Sequence, residues 1–433
     1  MQKITKELIQ KNYHILPKIL DYCESKEREV QGYFTRLHDI REHNQIKVIH
    51  AMQKTRISER HFAVSTGYGY NDEGRDGIEK VYATVFNTED ALVRPQIISG
   101  THAISLCLYG NLAPGDELIS ITGSPYDTIR TVIGFNEKQE KFCGTLKDYH
   151  IDYRQIELKN GKIDFFTILN MISSKTKMVY LQRSTGYQWR NALTIYEIKE
   201  CIHIIKKKYP HMIIMVDNCY GEFLDYEEPT DVGADIIAGS LIKNPGGGLA
   251  PMGGYIVGKK DLIYRSACRL SAPGIAKETG ATLGVNRTYL QGLFLAPHIV
   301  SEALKTSILA SKIFYDLGFE VCPGYDAYRS DIIQGIKLKD PGAVIAFCKA
   351  FQQVAPVDAF LNPEPWDMPG YEDKIIMAAG AFIQGSSIEL SADAPMREPY
   401  IAYLQGGLTH DHGKLGIYMA LQNLENEGFV KIS

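Results

Sequence analysis

The chain has few of the features that announce most function classes. Its eight cysteines, at 23, 107, 143, 201, 219, 268, 322 and 348, form no CxxC pair and no paired spacing. That disfavours a disulfide scaffold or a clustered zinc site and suits reduced thiols in a cytosolic protein. Basic charge is not in excess: the formal charge is −4 and the pI is near 6.3, so nothing argues for a nucleic-acid or anionic-membrane surface. No run approaches the roughly 20 apolar residues of a membrane span, and Met1-Gln2-Lys3-Ile4-Thr5-Lys6 leads into no apolar signal core. Repeats and low-complexity tracts are missing too, and the glycine-rich stretch 246–258 contains neither GxGxxG nor GxxxxGK(S/T). The expectation is a cytoplasmic protein that binds neither nucleic acid nor membrane and acts on a small molecule.

What is present is an ordinary globular composition: 433 residues, 45% hydrophobic and 23% charged, enough for a large core and two or three domains. Residues 1–65 show helical spacing with breaks at Pro17 and Gly32 and read as an N-terminal helical arm. Beyond it, after a helix near 77–82, short continuous apolar strands recur at 117–121, 178–181, 213–216 and 236–238, separated by helical patterns. Such strands predict a mostly parallel sheet, seven-stranded in this reading, with helices on both faces, in a large domain over 66–300. A long linking helix at about 285–317 leads into a smaller α+β domain over 301–433, with strands near 332–336 and 376–392 and a helix near 342–354.

Against this framework certain polar residues stand in a telling order. Ser99-Gly100-Thr101-His102-Ala103 follows an apolar strand and opens a helix, where free N–H groups and the helix dipole favour a phosphate; the plainer reading of Ser99 is a helix cap. Tyr126 follows the strand at 117–121, where a ring can lie on a flat heterocycle. Asp217 ends the run Met212-Ile213-Ile214-Met215-Val216, and a carboxylate at a buried strand end is costly unless it is paired with a cation or serves as a cap. Lys243 follows another short strand, and burial is expected to lower its pKa and make it a usable imine former; Ser240 precedes it by one helical turn's spacing. Phosphate cradle, ring, acid and lysine are the parts that hold pyridoxal 5′-phosphate, and they predict an enzyme of amino-acid chemistry.

The segments Thr66-Gly67-Tyr68-Gly69-Tyr70-Asn71-Asp72-Glu73-Gly74-Arg75-Asp76, Val93 to Ala103, Arg183-Ser184-Thr185-Gly186-Tyr187-Gln188-Trp189-Arg190, Val216 to Phe223 and Gly239 to Gly248 carry a resemblance. The chain resembles fold-type I pyridoxal-phosphate enzymes of the cystathionine and methionine gamma-lyase group, and among them the aluminium-resistance branch. The resemblance implies that Lys243 carries the cofactor as a Schiff base, Asp217 faces its pyridinium nitrogen and Tyr126 stacks on its ring. Ser99, Gly100, Thr101 and Ser240 would then hold its phosphate. It further implies a homo-oligomer, a dimer of dimers, with sites shared between protomers, in which Tyr68 or Tyr70 with Arg75 completes a neighbour's phosphate site. In the lyases an arginine precedes a Leu-Ser pair. Here Ile388-Glu389-Leu390-Ser391 has glutamate in that place, so the substrate α-carboxylate is given to Arg397, with Arg183 as competitor. The activity implied is carbon–sulfur elimination from a sulfur-containing amino acid. An aminotransferase or aldolase of the same fold is the enzymatic alternative, and a non-catalytic cofactor- or metal-binding stress protein the alternative from another class. His410 and His412, an HxH pair read as a loop, are too sparse for a metal site, and no metal is expected.

Overall fold

The computed structural model describes residues 1–135, 142–368, 371, 373–378 and 380–432; residue 379, inside the expected strand region 376–392, lies outside the described residues. The chain begins with α1 (Lys3–Tyr13) and α2 (Pro17–Lys54). Pro17 opens α2 because its missing N–H costs nothing at a first helical position. The break expected at Gly32 does not occur. A single glycine costs a helix interior only about 1 kcal/mol, and buried Val30, Phe34 and Leu37 on either side hold the 38-residue helix together.

Two compact units follow from the chain's contacts, one of residues 43–186 and 191–296, the other of 1–42, 187–190 and 297–433. The expected segments 1–65, 66–300 and 301–433 divide the chain at other points.

The first unit contains α3 (Glu73–Val85), β1 (Asp90–Arg94), α4 (Gly100–Asn111), β2 (Glu117–Ser120), α5 (Asp127–Ile133), β3 (Asp152–Gln155) and α6 (Phe165–Met171). It continues through β4 (Thr176–Gln182), α7 (Ile195–Lys208), β5 (Ile213–Asp217), β6 (Ile236–Ser240), β7 (Gly254–Gly258) and α8 (Lys260–Leu270). Its strands form a seven-stranded sheet in the order β1-β7-β6-β5-β4-β2-β3. β7 runs antiparallel to β1 and β6, and the remaining pairs are parallel, which is the mostly parallel α/β sheet expected. Every residue of β2, β5, β6 and β7 is buried, as coverage on both faces requires. The edge strand β3, Asp-Tyr-Arg-Gln, is half exposed and carries no apolar run, so nothing in the sequence marked it.

Helix α4 is locked to the sheet. Ala103, Ile104, Cys107 and Leu108 share one core with Met178, Met215, Ile236, Ala238 and Ile256 of the strands and Leu262, Ile263 and Ala267 of α8. Each larger apolar side chain buried there contributes about 1.5–3 kcal/mol. Since α4 starts at Gly100, the same packing fixes the position of its N-terminal N–H groups.

Helix α9 (Asn286–Asp316) is the expected linking helix. By length and composition it could cross a membrane, but 72% of its most apolar 18-residue window is buried inside the protein, as in a core helix.

The second unit adds β8 (Glu320–Cys322), β9 (Gln334–Lys337), α10 (Pro341–Gln353), β10 (Ile375–Ala378), β11 (Ser391–Pro395), β12 (Ile401–Gln405) and α11 (His410–Asn426). Its five-stranded sheet, β10-β11-β12-β9-β8, is antiparallel throughout. The loop expected at 409–413 is instead the start of α11, capped by Thr409, whose hydroxyl accepts from the His412 N–H. His410 reaches Thr306 and Glu27 at 3.3 Å each, and His412 Nε2 donates to the Val354 carbonyl at 2.9 Å. Both rings serve the packing of α11.

Candidate cofactor site

Parallel strands deliver their carboxyl ends to one edge of the sheet, and the chain uses that edge for polar residues. The register sets Gln182 of β4 opposite Asp217 of β5, and Asp217 opposite Ala238 of β6. Ser99 caps α4, accepting from the His102 N–H at 3.1 Å, so the plainer reading of this serine holds, while the first N–H groups of α4 have no partner within the helix. Gly100 is required at this point: a Cβ there would lie 3.2 Å from Cys219 Sγ and 3.2 Å from Ser240 Cβ. The α4 N-terminus, Cys219 and Ser240 therefore meet, and glycine keeps the space between them open. Thr101 Oγ1 lies 2.7 Å from Thr128 Oγ1, which ties the first turn of α5 to that of α4. Tyr126 stands just before α5, its N–H donating to Gln182 Oε1 at 2.7 Å. Its ring packs on Gly186, where a Cβ would come within 3.2 Å of Tyr126 Cδ2.

Asp217 is buried. Its carboxylate accepts from Tyr180 Oη at 3.2 Å and from the Cys219 N–H at 3.1 Å. Burial raises its pKa, opposed chiefly by Lys243, so a nearby cation is what this carboxyl needs to stay ionised. Lys243 is half-buried, its ammonium 3.8 Å from the centroid of the Tyr220 ring, a cation–π distance. Burial lowers its pKa as expected, but the net shift is upward. Burial does favour the neutral amine, but Cys219, Tyr220, Asp217 and Glu222 together outweigh it and hold the lysine above its ordinary range. Tyr220 adopts φ 69°, a left-handed conformation uncommon for a bulky residue and often found at functional sites.

The other expected residues have the following partners. Tyr68 and Tyr70 are 71% and 62% exposed and stack on each other with centroids 5.4 Å apart. Arg75 is buried and held by its own chain, donating to the Gly69 carbonyl at 2.7 Å, the Gly280 carbonyl at 3.3 Å and Asp76 Oδ1 at 3.1 Å. Arg183 is fully buried. Its Nη1 donates to Asn218 Oδ1 at 2.9 Å and the Gly221 carbonyl at 2.7 Å, pinning the turn after Asp217, and its Nε and Nη2 have no hydrogen-bond partner among the described residues. Arg397, in the second unit, makes an exposed ion pair with Asp373 at 2.8 Å.

Sequence reasoning passed over several groups. Gln182 positions Tyr126, Tyr220 covers the lysine, and Glu222 is buried behind it; the last two stand in the quoted Asp217-to-Phe223 segment, but only a backbone trace shows which way each points. In the second unit Arg329 is buried, and burial lowers its pKa to about 10. It donates from Nη2 to Gln334 Oε1 at 2.7 Å and leaves Nε and Nη1 without a partner among the described residues.

The donor set fits pyridoxal 5′-phosphate: a lysine amine, a buried carboxylate in need of a cation, a ring at the strand edge, and a helix N-terminus kept open by Gly100 beside Ser240. Comparison with known proteins agrees. The family model for methionine gamma-lyase matches residues 19–425. The uncharacterized protein YnbB of Bacillus subtilis (strain 168) is 50% identical over 399 residues, 92% of this chain and 94% of that one. Among solved structures, a carbon–sulfur lyase involved in aluminum resistance from Clostridium novyi NT superposes with a TM-score of 0.94 at 53% identity, covering 98% of this chain and 100% of that one. The pyridoxal-5′-phosphate dependent protein YhfS from Escherichia coli matches with a TM-score of 0.60 at 15% identity over 90% of this chain and 97% of that one, a likeness of fold alone.

Proposed function

Because the chain belongs to the methionine gamma-lyase family, we propose that it is a pyridoxal-phosphate-dependent carbon–sulfur lyase that eliminates the sulfur substituent of an amino acid from its β- or γ-carbon. The observation that carries the reading is the convergence of Asp217, Lys243, Ser240 and the Gly100 end of α4 on one edge of the sheet. In this reading Lys243 Nζ carries the cofactor, Asp217 pairs with its ring nitrogen, Tyr126 lies on its ring, and the α4 N-terminus with Ser99, Thr101 and Ser240 holds its phosphate. When bound, the cofactor supplies an electron sink for the carbanion left at the substrate α-carbon.

The chain's own residues do the rest. Asp217 is aimed by Tyr180 Oη and the Cys219 N–H, so it presents negative charge at a fixed place with no reorganisation when a cation arrives. With the cofactor and substrate in place, Lys243 Nζ would be the group that takes the α-proton and returns a proton to the departing sulfur. For the substrate carboxylate the reading retains Arg397, with Arg183 as competitor. Arginine-to-lysine exchange separates the two, because loss of a bidentate grip raises KM.

The test is product analysis. Incubation with sulfur-containing amino acids should yield a 2-oxo acid and ammonia in equal amounts, and borohydride should trap the cofactor on a peptide containing Lys243. Conversion of the cofactor to its pyridoxamine form would show transamination in place of elimination, and absence of a trapped peptide at Lys243 would remove the basis of the reading.

A further inference from the structure

Glu222 is wholly buried in the turn that follows Asp217. One carboxyl oxygen, Oε1, accepts from Tyr255 Oη at 2.6 Å. The other, Oε2, is buried without a hydrogen-bond partner among the described residues. The carboxyl lies against the strand that leads to the reactive lysine: a Cβ on Gly239 would come within 2.7 Å of Glu222 Oε1 and 2.8 Å of Tyr255 Oη. The residue after the lysine is tied to the same place, since Asn244 Nδ2 donates to the Glu222 carbonyl at 3.1 Å. Such a carboxyl is expensive to bury for structure alone, because an amide or an apolar side chain would fill the space without a free charged oxygen.

We propose that Glu222 is a positioning residue for Lys243, a buried carboxyl behind β6 that, when ionised, retains the proton on Lys243 Nζ. The proposal rests on Lys243 being the reactive amine of the lyase. The groups that face the carboxyl are Tyr255 from β7, Tyr82 from α3, Glu228 and Cys219 from the turn after β5, and Lys243 itself. Burial raises the Glu222 pKa to about 8, the Tyr255 hydrogen bond opposes that rise, and Glu228 adds to it while Lys243 opposes it. The carboxyl is thus mostly neutral at pH 7 and loses its proton just above neutrality. That loss places a negative charge beside the strand and turn that carry Lys243, which opposes release of the Nζ proton as pH rises. The effect is to extend the pH range over which Nζ stays charged, and the two groups titrate as a coupled pair.

The experiment is a spectroscopic pH titration of the purified full-length protein with pyridoxal phosphate bound, whose visible band reports protonation at Nζ. In Glu222→Gln the midpoint should fall by about one pH unit, the order expected on removing a nearby opposite charge. Tyr255→Phe, which removes the Tyr255 hydrogen bond to the carboxylate, should shift it the same way by less. An unchanged midpoint in Glu222→Gln, with borohydride still trapping the cofactor at Lys243, overturns the proposal and leaves the lyase reading intact. No trapping at Lys243 in the unaltered protein sinks the lyase reading first. Should Glu222→Gln fail to fold, Tyr255→Phe decides by the same criterion. Should both fail, difference infrared spectra of the unaltered protein decide: loss of a protonated-carboxyl stretch just above neutral pH supports the proposal, and no carboxyl titration there overturns it.

Discussion

The edge of the sheet around Lys243 and the segment from Ser65 to Arg75 are both rich in buried polar groups, and they treat them in opposite ways. In the segment no buried side-chain N or O lacks a partner among the described residues. Asp72 takes the Arg75 N–H and the hydroxyls of Ser65 and Thr282, while Arg75 spreads over two carbonyls and Asp76. Around Lys243, Glu222 Oε2 and two nitrogens of Arg183 are buried without partners among the described residues, and Asp217 is pushed by burial toward neutrality. A satisfied network holds a chain in shape; an unsatisfied one stores capacity for a ligand or a proton.

The comparison can be broken most sharply at Lys243. Lys243→Ala should lower the elimination rate by about 10²–10⁴-fold or more, the range general acid–base groups supply, with thermal stability near that of the parent. A rate within tenfold of the parent would place the chemistry elsewhere. Asp217→Asn should come next, with about a hundredfold loss of rate and weaker cofactor retention, measured by residual cofactor after dialysis. Arg75→Ala belongs to the satisfied region and should cost roughly 1.5–3 kcal/mol of stability, the worth of hydrogen bonds from a charged donor, while borohydride trapping at Lys243 persists. Loss of trapping at unchanged melting temperature would instead put this guanidinium on phosphate, as the sequence suggested.

The smallest effect sharpens the rule in the second unit. Asp393 is buried on Gln405 with Oδ1 lacking a partner among the described residues, and burial raises its pKa from 3.8 to about 7. Between those values the unfolded chain releases a proton that the folded chain keeps, so stability falls as pH rises through that window and levels off above it. Asp393→Asn should therefore raise stability at pH 7, and the gain should vanish near pH 4. A gain equally large at both pH values would mean that packing, not ionisation, was relieved.

How much of this was legible in the sequence follows from what each signal measures. The strands β2, β4, β5 and β6 were visible because full burial writes itself as an unbroken apolar run, and Asp217 and Ser240 were visible as the polar residues that end two of those runs. Edge strand β3 and helix α11 were not, since one is polar and half exposed and the other opens with Thr-His-Asp-His, which imitates a loop. Gly32 misled because a propensity of about 1 kcal/mol is small against the burial of its neighbours. The charge of Lys243 misled for a related reason. Desolvation could be guessed from the strand before it, whereas the titratable groups that overcome it come from the end of β5 and the turn after it, which only the fold brings near the lysine.

The reversal at β7 has a consequence for how this protein can change over evolutionary time. Most of the sheet's parallel neighbours are joined by crossovers whose length can drift, but the connection from Ser240 to Gly254 is a hairpin with the lysine inside it. Its interior is filled to contact: a methyl group on Gly246 would fall 1.7 Å from the Leu241 carbonyl, and one on Gly247 would fall 2.2 Å from the carbonyl of Gly292 in α9. Insertions, deletions and permuted termini should therefore be absent from this stretch in any working descendant, and a library of random insertions through the gene should show a gap here wider than the site itself.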